Sequence, residues 1–259
     1  MKQRIQKLLA GAGVASRRAI EQMVVEGRVA VNGQVVRELP VLVDPDTDAI
    51  RVDGQQVRLG GASTARRLYF LLNKPKGVYC TNVAQGEQLR AIDLLPPHLP
   101  RLYPVGRLES ESRGLLLLTN DGELTHKLTH PRYGVAKTYR AIIDGHIDDR
   151  TLAELERGVF LADRETGSAA RAAASHLRIV DRGRHRSTIE ITIREERNRQ
   201  VRRMLAKVGH KVRDLSRVRM GPLTLEGLAP GQFRPLMPGE INGLRRLVAG
   251  ARSDPPPHL

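Results

Sequence analysis

A single cysteine, Cys80, stands among 259 residues. No intramolecular disulfide can form, and a reducing cytoplasm is the expected compartment. No apolar run approaches the ~20 residues of a membrane-spanning helix. Lys2, Arg4 and Lys7 precede a small, apolar stretch in the manner of a targeting peptide. Gly11 and Gly13 interrupt that stretch and Arg17-Arg18 follow at once, so it has neither a clean apolar core nor a cleavage region. Neither a Walker loop nor a dinucleotide fingerprint occurs, which leaves NTPase and redox readings unsupported. His126 and His130 have the spacing of a metal pair, but no HExxH glutamate or third ligand accompanies them. No internal repeat is present. Acidic residues are also scarce: 28 Asp and Glu face 43 Lys and Arg, for a formal net charge of +15 and a pI near 10.8. Such a balance favours a polyanion, most simply nucleic acid, over an acidic small molecule, although a merely sticky basic surface also fits.

What is present suffices for a packed core without staples: 40% of the residues are hydrophobic, in a chain long enough for one large or two ordinary domains. Residues 4–12 read as a short amphipathic helix with Ile5, Leu8 and Leu9 inward. Ser16 is a good N-cap for a second helix over residues 17–26, where Ile20, Val24 and Val25 recur at helical spacing and Gly27 closes it. Residues 28–36 read as strand, Asn32-Gly33 hairpin turn, strand. A further strand at residues 50–52 leads to a tight turn at Asp53-Gly54. The Gly, Ser, Ala and Arg stretch before Leu68 has no periodicity and reads as a linker. The expected division is a small domain at 1–59, a linker at 60–67, a large domain at 68–249 and a disordered Pro-rich tail at 250–259.

The large domain is organised around residues 106–123, GRLESESRGLLLLTNDGE. Arg107, Glu109, Glu111 and Arg113 form a charged loop that Gly114 ends. Residues 115–118 are an apolar run short enough for a buried strand. Asn120-Asp121-Gly122 has turn chemistry, with glycine able to take positive φ. A polar loop pinned onto a buried strand holds reactive side chains still. Strands are also expected at 68–72, with 78–81 continuing past the Lys74-Pro75-Lys76-Gly77 turn, at 139–143 and at 188–194. Helices are expected near Ile92 and at 123–130, 148–158 and 198–208. Many strands with few, dispersed helices predict an α+β domain with a mixed, mostly antiparallel sheet. Between Arg194 and Arg219, ten basic residues face three acids, an excess of +7 that reads as a footprint for a phosphate backbone. Arg199, Arg202 and Arg203 spread over a wide arc of their helix. One that points inward needs an acid, and Glu109 is the candidate.

The segment RIQKLLAGAGVASRRAIEQMVVEGRVAVNGQVV resembles the alpha-L RNA-binding motif named from a small-subunit ribosomal protein. The resemblance implies phosphate contacts by Arg17, Arg18 and Arg28. Three further blocks, YFLLNKPKGV, PVGRLESESRGLLLLTNDGELTHKLTHPRYGVAKTYRA and REERNRQVRRMLAKVGHKVRDLSRVRMGPL, resemble the bacterial ribosomal-RNA pseudouridine synthases that join such a motif to a synthase domain. The resemblance runs from about residue 2 to residue 246. It implies isomerisation of a uridine within RNA, with cleavage of the bond from N1 to the ribose, rotation of the uracil and rejoining through C5, and with no cofactor and no metal. It implies Glu109 as the catalytic carboxylate, Arg202 as its partner, and Tyr139 beside the base as the group that removes the C5 proton. Lys74, Lys76, Arg107, Arg199 and Arg203 are candidate RNA contacts, and for Arg107 a purely structural role of ordering the loop stands beside that one.

Two function classes remain open: an RNA-modifying isomerase, leaning toward large-subunit rRNA, and a non-catalytic RNA-binding or ribosome-assembly protein on the same scaffold. They part at position 109, where the family pattern has aspartate and this chain has glutamate. The expected partner is ribosomal RNA or a ribosome-assembly intermediate, met by a monomer in the cytoplasm, with no membrane involved.

Overall fold

A computed structural model of the protein describes residues 1–57, 67–162 and 169–250. The chain divides into two compact units, Met1–Arg67 and Leu68–Leu259. The expected linker and tail fall outside the described residues except for Arg67 and Gly250.

In the first unit two helices, Ile5–Gly11 and Arg17–Val25, accompany a four-stranded sheet ordered Gln34–Val36, Val29–Val31, Ile50–Val52, Gln55–Val57. Ser16 caps the second helix by accepting a 3.1 Å hydrogen bond from the Ala19 N–H, satisfying a donor that has no partner within the helix. Asn32 and Gly33 both take positive φ, 51° and 82°, the backbone twist that a two-residue hairpin turn requires. Ile5, Leu9, Ile20, Val24, Val29, Val43 and Ile50 fill the core. Val25 is not among them and is 54% exposed. At 100° per residue, Ile20 and Val24 share a face while Val25 is turned well away from it.

The second unit is built on a mixed sheet whose main path runs His176–Arg182, Arg186–Ile193, Lys137–Asp144, Val212–Met220, Arg113–Thr119, Tyr69–Lys74, Phe233–Pro235. All neighbours on this path are antiparallel except Val212–Met220 beside Arg113–Thr119. The four leucines at 115–118 are wholly buried and divide between two cores. Leu116 and Leu118 join Leu72, Tyr139, Ile191 and Met204 on one face; Leu115 and Leu117 join Leu71, Leu124 and Leu244 on the other. A strand covered on both faces has no reason to alternate with polar residues.

Several expectations are corrected. Residues 78–81 form no regular strand; Tyr79 makes only an isolated bridge to Arg90. Asn120-Asp121-Gly122 is not a positive-φ turn: Gly122 opens the helix Gly122–Thr129, and Asp121 caps it by accepting from the Leu124 N–H at 3.0 Å. Val212–Met220, part of the basic run that reads as a footprint for a phosphate backbone, is a central strand. The helix Pro238–Gly250 packs Leu244 and Val248 into the second core.

The parallel pairing sets Arg217 opposite Gly114. Gly114 has φ +108°, and a Cβ there would lie 2.3 Å from the Arg217 carbonyl oxygen. Only glycine tolerates both the conformation and the close approach. Gly114→Ala is expected to cost about 3 kcal/mol or more, summing backbone strain and overpacking, as read from the urea unfolding midpoint.

Candidate active site

Residues 106–112 lead into the strand Arg113–Thr119 and form one wall of a cleft of about 700 Å³. Tyr79, Cys80 and Thr81 line it from the segment after the first sheet strand. Tyr139 and Leu215 rise from the sheet, and Glu196 through Val201 close the remaining side. The loop is held from beneath. Its Ser110 carbonyl accepts from the Gly77 N–H at 2.8 Å and from Lys74 Nζ at 3.4 Å. Lys74 Nζ also donates to the carbonyls of Val78 and Pro75, at 2.8 and 2.9 Å. The Lys74 side chain is fully buried, and burial pushes its ammonium down to about 8. Lys74 is therefore a clamp on the cleft wall. It is not a phosphate contact, because no part of it reaches the surface.

At the loop's turn, where the Ser112 N–H returns to the Glu109 carbonyl, Glu109 projects toward the helix Gln200–Lys207. Its Oε2 accepts from Arg199 Nη1 at 2.8 Å and stands 3.2 Å from Arg202 Nε. The second contact is an ion pair by distance only: Arg202 Nε is buried and not aligned for a hydrogen bond. Weaker bonds run from Arg202 Nη1 to the Val212 carbonyl and from Nη2 to Ser112 Oγ, at 3.3 and 3.4 Å. Arg199 reaches the carboxylate because it sits at the helix N-terminus with φ 52°. The structure thus brings Glu109 together with Arg202, and adds Arg199. Two guanidinium groups on one carboxylate fix its direction.

Tyr139, from the strand Lys137–Asp144, is 5% exposed at the cleft floor. Its hydroxyl donates to Glu196 Oε1 at 3.1 Å. Glu196 also pairs with Lys137 Nζ through Oε2 at 3.0 Å, and with Arg217 Nη1 through Oε1 at 3.3 Å. Lys137 and Arg217 are both buried. Gly106, at φ +73°, passes over this group; a Cβ there would lie 3.3 Å from Glu196 Oε2. Burial raises the Glu196 carboxyl pKa, but Arg217 and Lys137 outweigh it and hold the group below the usual carboxylate range. Burial pushes the Tyr139 phenol well above its ordinary value, so it is a protonated hydroxyl at neutral pH. Sequence reasoning missed Lys137, Glu196 and Arg217 as site residues. One signal was available: Lys137 and Tyr139 are two apart on a strand and share a face.

The remaining basic candidates separate by their partners. Arg107 lines the cleft and is exposed. Lys76 is half-exposed and paired with Asp214 at 2.6 Å. Arg203 donates to the carbonyls of Ala162 and Asn198, which ties it to the fold. In the first unit Arg17 and Arg18 are exposed. The Arg28 fork is taken up by Asp53, at 2.8 and 2.7 Å, with Glu26 at 3.3 Å, so Arg28 is committed within its own domain. Much of the basic run 194–219 is also paired internally: Arg197 with Glu195, Arg213 with Asp144, and Arg217 with Glu196.

The chain is similar to known proteins over nearly its whole length. The family described as RNA pseudouridylate synthase matches residues 68–207, and the S4 domain matches residues 3–47. A ribosomal large subunit pseudouridine synthase B from Bacillus subtilis is 44% identical over 95% of this chain and 97% of its own. An uncharacterized RNA pseudouridine synthase from Aquifex aeolicus is 42% identical over 96% of each. A crystal structure of a pseudouridylate synthase superposes with a TM-score of 0.66 at 27% identity, covering 93% of this chain and 99% of that one. Matched by the family model over residues 68–207 and by relatives over nearly its whole length, the chain belongs to the RNA pseudouridylate synthase family, carrying an N-terminal S4 domain.

Proposed function

We propose that this protein isomerises a uridine in large-subunit ribosomal RNA to pseudouridine. One observation carries the residue assignment: Glu109, held by Arg199 and Arg202, faces a cleft whose floor presents Tyr139. A uridine within RNA must leave the stack to enter such a cleft, at a cost of a few kcal/mol. Phosphate contacts from Arg107 at the rim, and from Arg17 and Arg18 on the S4 domain, offset that cost. Glu109 then acts at the sugar carbon or the base as the N1 glycosidic bond breaks. Once the base has turned and C5 is joined to the ribose, Tyr139 takes the C5 proton. The protein works as a monomer on ribosomal RNA or a ribosome-assembly intermediate in the cytoplasm. No helix among the described residues is long and apolar enough to cross a membrane.

The test is release of tritium from C5-labelled uridine in large-subunit and small-subunit rRNA transcripts. Release from the large-subunit transcript alone is expected. Release from the small-subunit transcript alone would move the substrate. Tight binding without release from either would leave the non-catalytic RNA-binding reading. Tyr139→Phe is expected to retain folding and RNA affinity while turnover falls about 100-fold or more. Thermal destabilisation with turnover retained would make the tyrosine structural. Arg17→Ala with Arg18→Ala is expected to flatten the dependence of log affinity on log salt by about one unit for each phosphate these side chains neutralise. An unchanged slope would remove that face of the S4 domain from the RNA interface.

A further inference from the structure

The cleft floor contains a carboxylate with no role in the reaction as described so far. Glu196 lines the cleft, yet both its oxygens are engaged from below: Oε2 by Lys137 at 3.0 Å, Oε1 by Arg217 at 3.3 Å and by the Tyr139 hydroxyl at 3.1 Å. Holding two buried cations and a buried phenol around one partly exposed acid is costly to assemble. Lys137 and Tyr139 come from one strand, Arg217 from its neighbour, and Glu196 from the segment between the strand Arg186–Ile193 and the helix Gln200–Lys207. Three parts of the chain therefore converge on the Glu196 carboxylate, with the Tyr139 hydroxyl among its partners.

The hydrogen-bond direction gives the group a use. A phenol that donates its proton to a carboxylate keeps its oxygen lone pairs to accept with; the Arg217 guanidinium faces that oxygen from the sheet, and Tyr139 lines the cleft on the other side. A neutral phenol is a poor base unless its own proton leaves as the new one arrives. We infer that Glu196 is a positioning residue for Tyr139 and the acceptor of its proton, so that Tyr139 and Glu196 together form a two-step relay out of the cleft. In the step itself the C5–H bond breaks and its proton passes to Tyr139 Oη. The original hydroxyl proton passes to Glu196 Oε1. The electrons of the C5–H bond restore the C5=C6 double bond, and the displaced π pair moves to N1, which takes up a proton from solvent. Glu196 later returns its proton to solvent. No oxidant, metal or further reactant enters. Lys137 and Arg217 then have the task of fixing Glu196 while leaving Oε1 against the phenol. Burial holds the phenol in its protonated form, as a relay needs and as a free tyrosinate base would not.

This inference rests on the proposed isomerase reading, and the experiment separates the two. Native protein, Glu196→Gln and Glu196→Asp are compared on rRNA carrying uridine or C5-deuterated uridine. In Glu196→Gln, kcat is expected to fall about 100-fold with KM unchanged, and a primary deuterium isotope effect larger than in the native protein should appear as proton removal becomes limiting. Glu196→Asp, which keeps an acceptor, should recover most of kcat. Glutamine leaves two buried cations without an acid, so the charge-balanced pair Lys137→Met with Glu196→Gln, measured against Lys137→Met alone, gives the same comparison where the single variant does not fold. A folded Gln variant with native kcat and native isotope effect would overturn the relay and leave the isomerase reading standing. Absence of turnover in the native protein would overturn both.

Discussion

Replacing Glu109 by alanine is expected to reduce tritium release from C5 of uridine in rRNA by about 10³-fold or more, with RNA affinity nearly unchanged. The carboxylate is the only acid among the residues that line the cleft apart from Glu196, and Glu196 is occupied below the floor by Lys137 and Arg217. Nothing else that lines the cleft can take over. Glu109→Asp is the sharper variant. Aspartate draws the carboxylate back by one methylene, away from Arg199 at 2.8 Å and Arg202 at 3.2 Å. Both arginines reach the glutamate as it stands, so the site is set for the longer side chain. A misplacement of about 1 Å costs on the order of 100-fold, and Glu109→Asp is expected to retain activity at a level lower than native by about that factor. A large gain in Glu109→Asp over an inactive native protein would mean that glutamate holds the charge in the wrong place. The chain would then be an RNA-binding member of its family that does not turn over.

The ion pair of Glu109 with Arg202 shows what the sequence makes legible and why. Glu109 and Arg202 are far apart in the chain, and periodicity says nothing about their meeting. Cost carries the inference part of the way: an arginine on the inner arc of a helix needs an acid, and the charged loop before a buried strand supplies one, which leaves Arg199, Arg202 and Arg203 open until the family resemblance singles out Arg202. The four-leucine strand, the Ser16 cap and the Asn32-Gly33 turn are legible because each depends on local chemistry alone. Val212–Met220 is not. Its sequence, VRDLSRVRM, places charged and hydroxyl residues through a strand whose Arg217 is fully buried. Charge in a sequence reads as solvent exposure until a partner is known, and Glu196 is known as the partner only once the sheet is assembled. Lys74 misleads for the same reason. Its amine is satisfied by three backbone carbonyls, and no side-chain pattern announces a backbone acceptor.

Arg217→Leu is expected to destabilise the protein by about 3–5 kcal/mol, the cost of breaking a buried ion pair from one side. Arg217 is fully buried. It donates through Nε to the Leu115 carbonyl at 2.8 Å, and through Nη1 to Glu196 at 3.3 Å. Its Nη2 finds no hydrogen-bond partner among the described residues, a penalty that the other bonds must outweigh. Removing the guanidinium orphans the Leu115 carbonyl, on the strand that follows the charged loop, and leaves Lys137 as the one cation on Glu196 among the described residues, beside the Tyr139 hydroxyl. The pH dependence has a definite sign. In the native protein Arg217 and Lys137 depress the Glu196 pKa against the effect of burial. Stability from the ionised carboxylate is therefore present above the ordinary glutamate value of 4.5 and lost as pH falls through the lower folded value. The gap in urea midpoint between native and Arg217→Leu should be widest near neutrality and should narrow as acid protonates Glu196 in the native protein. A phosphate-binding arginine behaves oppositely: its removal weakens RNA affinity and flattens the salt dependence while leaving the unfolding midpoint in place. Unfolding curves and RNA titrations on one variant therefore separate the buried ion pair seen in the fold from the RNA contact that the basic run in the sequence suggests.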